Sequence, residues 1–171
     1  MHLFLTGERG IGKSTVIYKY LLLSQVAYQG IRTFLVDEDD VRSVMGESFN
    51  KKKSSHPQSF LLAKRNAGGR FAIDTQAFDV NMVGILTGLT PDGGLIILDE
   101  LGFLEEEATV FKRTVINLLD GSLPILGVLK KHSSPFLDEI AGHPRVSVME
   151  VCEENLKDLP IAVAEHFKRF F

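Results

Sequence analysis

Gly7, Gly12, Lys13 and Ser14 stand in the spacing Gly7-x4-Gly12-Lys13-Ser14, directly after the apolar run Leu3-Phe4-Leu5. In such a loop successive backbone N–H groups curl around a phosphate at a helix N-terminus, and glycines let the backbone come close. The candidate nucleotide-binding stretch is Gly7, Glu8, Arg9, Gly10, Ile11, Gly12, Lys13, Ser14 and Thr15. Lys13 would reach the β- and γ-phosphate oxygens, and the Ser14 hydroxyl would ligate Mg²⁺. Glu8 and Arg9 occupy freely variable positions, Arg9 with the option of neutralising phosphate. Thr15 could meet an α-phosphate or simply open the helix.

Phosphate binding alone does not hydrolyse anything; that needs a metal held opposite the loop and a group that activates water. Leu95-Ile96-Ile97-Leu98-Asp99-Glu100 offers both. Four apolar residues predict a buried strand, and Asp99 at its carboxyl end falls where open α/β sheets place their ligands. Asp99 is the second candidate metal residue. Glu100 is the candidate general base, expected on a regular strand to point away from Asp99. Glu105-Glu106-Glu107 reads as a solvated, dipole-favoured first turn of a helix. Lys130, near the end of a predicted strand beside the loop strand, could sense the γ-phosphate.

These residues need a scaffold of strands and helices to bring them together. The pattern predicts a first helix running from the loop to a left-handed stop near Gly30, then a strand over 31–36. From about 38 to 69 the periodicity fades through Lys51-Lys52-Lys53-Ser54-Ser55-His56-Pro57, which reads as a solvated loop or hairpin insertion. Phe60 to Ala63 and Arg70 to Asp74 could be strands of a hairpin around Gly68-Gly69, so the insertion would occupy 38–74. Helical spacing returns at 76–89 and at 105–119, where Val110, Phe111, Thr114, Val115, Leu118 and Leu119 share a face and Gly121 ends the helix. A strand at 124–130, a helix near 134–141 and a strand at 145–151 follow. A last helix starts around Asp158 with Ile161, Ala164, Phe167 and Phe171 on one face. Strands alternating with helices predict an α/β fold with a mainly parallel sheet covered by helices on both faces.

The chain has 171 residues, 44% apolar and 24% charged, which suits one domain over 1–171. A net charge of −3 gives no global pull toward nucleic acid or anionic membrane. Lys51-Lys52-Lys53 and Lys130-Lys131-His132 lack interleaved aromatics and read as solvated charge runs. Cys152, the single cysteine, has no internal disulfide partner and reads as a small buried hydrophobe; His56, His132 and His143 make no zinc spacing with it, and His2 and His166 read as superficial. With no run near the roughly 20 apolar residues of a membrane span and no signal-peptide pattern, a cytoplasmic location is expected.

Taken together, Thr6 to Thr15, Gly69-Arg70-Phe71-Ala72-Ile73-Asp74 with Phe78, Ile97-Leu98-Asp99-Glu100-Leu101-Gly102 with Glu105, and Glu154 to Pro160 resemble the thermophile-type, or cancer-related, nucleoside-triphosphatase family. The resemblance implies a RecA-like P-loop domain that hydrolyses nucleoside triphosphates to diphosphates with little base selectivity. In it Lys13 and Ser14 bind phosphate and metal, Asp99 assists the metal, and Glu100 activates water. The sequence departs from the family's pattern at Arg32 to Glu38. Two other functions compete: a nucleotide or small-molecule kinase, with Arg42, Arg65 or Arg70 clamping a second phosphate, and a binding switch using 38–69 as contact surface. The Asn-Lys-x-Asp signal for guanine is absent.

Overall fold

The computed structural model describes residues 1–38, 41–51, 57–66 and 68–171. Its centre is set by strands built on continuous apolar runs, Leu3 to Leu5, Leu95 to Leu98 and Ile125 to Leu129. In β1 (His2–Thr6), Phe4 joins one core while Leu3 and Leu5 join another. The same split divides β6 (Leu95–Leu101) and β7 (Ile125–Leu129), so successive residues feed opposite faces. A strand that must bury both faces reads as a continuous apolar run, and these three do.

One face carries α1 (Lys13–Ser24) and α5 (Leu159–Phe167), which bring Val16, Ile17, Tyr20, Val163 and Phe167 onto Leu3, Leu5 and Val128. The other carries α2 (Val83–Thr87), which continues from a π-helical turn at Ala77–Met82, with α3 (Thr109–Asp120) and α4 (Pro135–Ala141). Asp79 Oδ1 accepts the Phe111 N–H at 2.8 Å, tying the π turn to the start of α3. Ser134 accepts the Leu137 N–H and caps α4, with Pro135 in its first turn.

The strands are completed by β2 (Tyr28–Glu38), β3 (Val41–Ser48), β4 (Ser59–Arg65), β5 (Phe71–Ile73) and β8 (Val146–Glu150). They form one sheet in the order β5-β4-β3-β2-β6-β7-β1-β8. The five strands from β2 to β8 in that order are parallel neighbours, and β3, β4 and β5 extend the sheet antiparallel beyond β2. Of the two readings for 38–69, the hairpin is therefore the one that forms. The weak patterning has a physical source: antiparallel strands at a sheet margin are covered on one side only, and β4 keeps Leu62 and Ala63 buried beside exposed Leu61. The polar run through Lys52 to His56, like Asp39 and Asp40, lies outside the described residues.

Several expectations need correcting. Helix α1 ends at Ser24 with Gln25 left-handed, well before Gly30. Gly30 instead sits in β2 at φ 145°, where a Cβ would lie 2.0 Å from the Ile97 carbonyl oxygen, so it serves a close strand approach. Helix α5 buries Leu159, Val163 and Phe167, whereas Ile161 is 63% exposed. Cys152 is only half-buried, and His166 is half-buried as well.

His2, expected to be superficial, is fully buried, because its strand is covered on both faces from its first residue. Its Nε2 lies 2.8 Å from the Leu119 carbonyl oxygen, which requires Nε2 to carry the proton that is donated. Burial is the main reason its pKa is pushed down to about 4, partly opposed by that hydrogen bond. In the unfolded chain the ring titrates near 6.5, so its contribution to stability is intact above that value and is lost as pH falls toward 4. Relative to His2→Gln, wild type is expected to lose up to ~3 kcal/mol between pH 7 and pH 4. Urea unfolding of both proteins across that range checks it, and a constant difference would remove His2 as the cause.

Candidate active site

The phosphate loop joins β1 to α1 through glycines that no other residue could replace without strain. Gly7, Gly10 and Gly12 have φ of 147°, 79° and 106°. At Gly7 a Cβ would also lie 2.6 Å from the Val151 carbonyl oxygen. The loop delivers the chain to Lys13 as the first residue of α1, whose opening N–H groups have no partners within the helix and carry the positive end of its dipole. Lys13 is buried and folds back along the loop, donating to the carbonyls of Gly7 at 2.9 Å and Glu8 at 3.0 Å. The loop thus holds an ammonium over its own rim, where an incoming anion would meet it. Glu8, Arg9 and Thr15 are solvent-exposed, Glu8 forming an ion pair with Lys131 at 3.0 Å.

Ser14 Oγ donates to Asp99 Oδ1 at 2.9 Å, so the loop and the end of β6, 85 residues apart, meet at one point. Asp99 is only 4% exposed, and burial pushes its pKa up to about 6 despite the opposing hydrogen bond from Ser14. A buried carboxylate beside a hydroxyl is a hard-oxygen donor pair of the kind that Mg²⁺ takes, and a divalent cation there would offset the burial of negative charge. The residues present fit that metal. Among the described residues no cluster of three His, Cys, Asp or Glu side chains forms a further metal site.

Glu100 does not continue the strand's alternation away from the loop. The β6–β7 ladder shifts register between Leu98 and Leu101, and both acidic side chains reach the P-loop side. Glu100 Oε2 lies 3.9 Å from Lys13 Nζ, and its Oε1 lies 3.2 Å from Lys130 Nζ. The Glu100 N–H donates to Thr33 Oγ1 at 3.3 Å, which anchors that stretch on β2.

Two contributors went unread in the sequence and a third was misread. Thr33 is the first unread one. Glu105 is the one misread: it is 3% exposed and accepts the Gly102 N–H at 2.9 Å, so it is no part of a solvated helix turn, and α3 starts only at Thr109. Burial pushes its pKa up to about 7, with the Gly102 hydrogen bond opposing. Its position three residues after Gly102 was the available signal, hidden by two neighbouring glutamates. Phe103 is the second unread one, with the Lys130 ammonium 5.2 Å above its ring. Lys130 therefore belongs to this site and is not part of a solvated charge run.

A cleft of about 660 Å³ connects Gly7, Lys13, Ser14 and Glu100 with Lys130 and extends over Thr33, Arg42, Arg65 and Phe71. Arg42 is held by Asp37 through two bonds of 2.8 and 3.1 Å, and Arg65 donates to the Gly69 carbonyl at 3.0 Å. The cleft opens at the carboxyl ends of the parallel strands, where ligands of open α/β sheets bind.

A parallel sheet in which β7 lies between the loop strand β1 and the acidic strand β6, with Lys13 and Ser14 facing Asp99 and Glu100, defines a P-loop nucleotide-binding protein of the additional-strand class. The chain belongs to the NTPase family, whose model matches residues 2–164. The resemblance drawn from its motifs is borne out. It is 27% identical to the nucleoside-triphosphatase THEP1 of Thermotoga petrophila, over 93% of this chain and 88% of that protein. It is 28% identical to the protein of that name from Thermofilum pendens, over 94% and 91%. In fold it matches the crystal structure of THEP1 from the hyperthermophile Aquifex aeolicus, with a TM-score of 0.75 at 18% identity over 97% and 98% of the two chains. It also matches the solution structure of a human cancer-related nucleoside triphosphatase, with a TM-score of 0.72 at 22% identity over 98% and 97%. The expected mostly parallel α/β fold is the one found. No helix among the described residues is long and apolar enough to cross a membrane.

Proposed function

We propose that this chain hydrolyses nucleoside triphosphates to diphosphate and inorganic phosphate, with Mg²⁺ and with little discrimination among bases. The observation that carries the reading is the meeting of two motifs from opposite halves of the chain: Ser14 on Asp99 at 2.9 Å, with Glu100 beside Lys13 at 3.9 Å. Bound Mg²⁺ would neutralise charge on the β- and γ-phosphate oxygens. Ser14 and Asp99 are the residues that would hold it. The backbone from Gly7 to Thr15 would cradle the phosphates, and Lys13 would turn from the Gly7 and Glu8 carbonyls to the β- and γ-oxygens. Glu100 would take a proton from the water as its oxygen bonds to the γ-phosphorus and the bond to the β–γ bridging oxygen breaks.

Broad base selectivity is what the family resemblance implies, and the sequence carries no Asn-Lys-x-Asp signal that would favour guanine. Residues 1–171 are read as one NTPase domain, with 38–74 appended as the antiparallel extension. Phosphate release from ATP, GTP, CTP and UTP with Mg²⁺, measured with and without candidate acceptors, tests the reading. Release from all four without an acceptor, at rates within about an order of magnitude, is expected. Strict dependence on an acceptor would replace hydrolysis by kinase activity, and binding without release would replace it by a switch.

A further inference from the structure

We propose that Lys130 is this chain's own catalytic cation for the γ-phosphate, and that Glu105 is the residue that positions it. The inference rests on the hydrolytic reading above and supplies what that reading lacks. Phosphoryl transfer leaves negative charge on the equatorial oxygens of the γ-phosphate, and NTPases commonly meet it with an arginine, often lent by a partner.

Among the described residues, Lys13 and Lys130 are the two cations within 4.0 Å of Glu100, which lies between them at 3.9 and 3.2 Å. Lys13 comes from the phosphate loop; Lys130 directly follows β7, the strand between β1 and β6. The other cations near the cleft are solvent-exposed, as Arg9 is, or held by other groups, as Arg65 is by the Gly69 carbonyl. Arg42 is paired with Asp37, Lys131 with Glu8 and Glu150, and Arg32 with Glu47. Lys130 is paired with the one carboxylate that must be free to take a proton. A γ-phosphate carries more negative charge than a carboxylate, so its arrival would draw Lys130 away from Glu100. The same movement would stabilise the transferring group and release the base. The Lys130 side chain is 36% exposed, so its ammonium is reachable from the cleft.

The turn after Glu100 is built to hold that ammonium. The Lys130 N–H donates to the Leu101 carbonyl at 2.9 Å. Its side chain crosses Gly102, where a Cβ would lie 2.5 Å from Lys130 Cδ, so a side chain there would displace it. Phe103 places its ring beneath the ammonium at 5.2 Å. Both Gly102 and Phe103 belong to the turn that the buried Glu105 carboxyl fixes through the Gly102 N–H at 2.9 Å. Glu105 touches no substrate in this scheme and acts through the turn.

The test compares wild type, Lys130→Met, Lys130→Arg, Glu105→Leu and Glu105→Gln by steady-state phosphate release. Thermal unfolding and binding of a non-hydrolysable triphosphate establish that each variant is folded. Lys130→Met is expected to lose roughly a hundred-fold or more in kcat with KM nearly unchanged, the size of removing one preorganised charge donor. Lys130→Arg should recover most of it. Glu105→Gln, whose amide oxygen can accept the same N–H, should keep most of kcat, while Glu105→Leu should lose kcat and not KM. Specific activity should be independent of protein concentration, because the cation is supplied in cis. Wild-type turnover with an unchanged kcat in Lys130→Met overturns the assignment of Lys130 alone, as does a loss that Lys130→Arg fails to restore. Activity that rises with protein concentration and survives Lys130→Met overturns it in favour of a partner's residue. A wild type that releases no phosphate overturns the hydrolytic reading and this one together.

Discussion

Glu100→Gln is expected to bind nucleoside triphosphate at least as tightly as wild type while turning over about a hundred-fold to ten-thousand-fold more slowly, the range that a positioned general base supplies. The amide has the same shape, so the Thr33 contact to the backbone and the approach to Lys13 and Lys130 remain sterically intact. It has lost the charge that accepts the proton. It has also lost a carboxylate that repels the γ-phosphate and occupies both lysines, which is why affinity should hold or rise. Equilibrium binding with a fluorescent triphosphate, set beside phosphate release, separates the two effects. Near-normal turnover by the variant would dismiss Glu100 as the base.

Lys13→Ala should damage both binding and turnover. Two hydrogen bonds from the ammonium to the Gly7 and Glu8 carbonyls disappear, and with them the contact that holds the loop closed. A charge-assisted hydrogen bond contributes about 1.5–3 kcal/mol, so binding alone is expected to weaken by at least about ten-fold. The loss in kcat should exceed the loss in affinity, because the β- and γ-oxygens gain charge as the bond breaks. Together the two variants give different signatures: Glu100→Gln separates binding from chemistry, and Lys13→Ala does not. A Lys13→Ala protein with wild-type affinity and rate would remove the phosphate-loop assignment.

What the sequence disclosed about this site is what short-range rules govern. The loop from Gly7 to Ser14 and the strand ending in Asp99-Glu100 each carry their chemistry within a few consecutive residues. Their flanking apolar runs declared buried strands of a mainly parallel sheet. Where meaning depends on a distant partner, the reading failed or stayed silent. Gly30 looked like a helix stop, yet its lack of a side chain answers Ile97 on the neighbouring strand. Glu105 looked like one of three solvated acids, yet it is buried and accepts the Gly102 N–H. Glu100 was expected to alternate away from Asp99, yet it lies beside Lys13 and Lys130, where the ladder with β7 shifts register. In α5 the apolar residues leave two candidate faces, and only packing against α1 chooses Val163 and Phe167 over Ile161.

The most direct measurement of the central claim is phosphate release by the purified wild-type chain from a single nucleoside triphosphate and Mg²⁺ in ¹⁸O-labelled water, with no acceptor present. Attack of water on the γ-phosphorus predicts one labelled oxygen in each inorganic phosphate and none in the diphosphate, with release abolished by a chelator. Label in the diphosphate, or no release until an acceptor is added, would contradict a hydrolytic site formed by Lys13 and Ser14 on one side and Asp99 and Glu100 on the other.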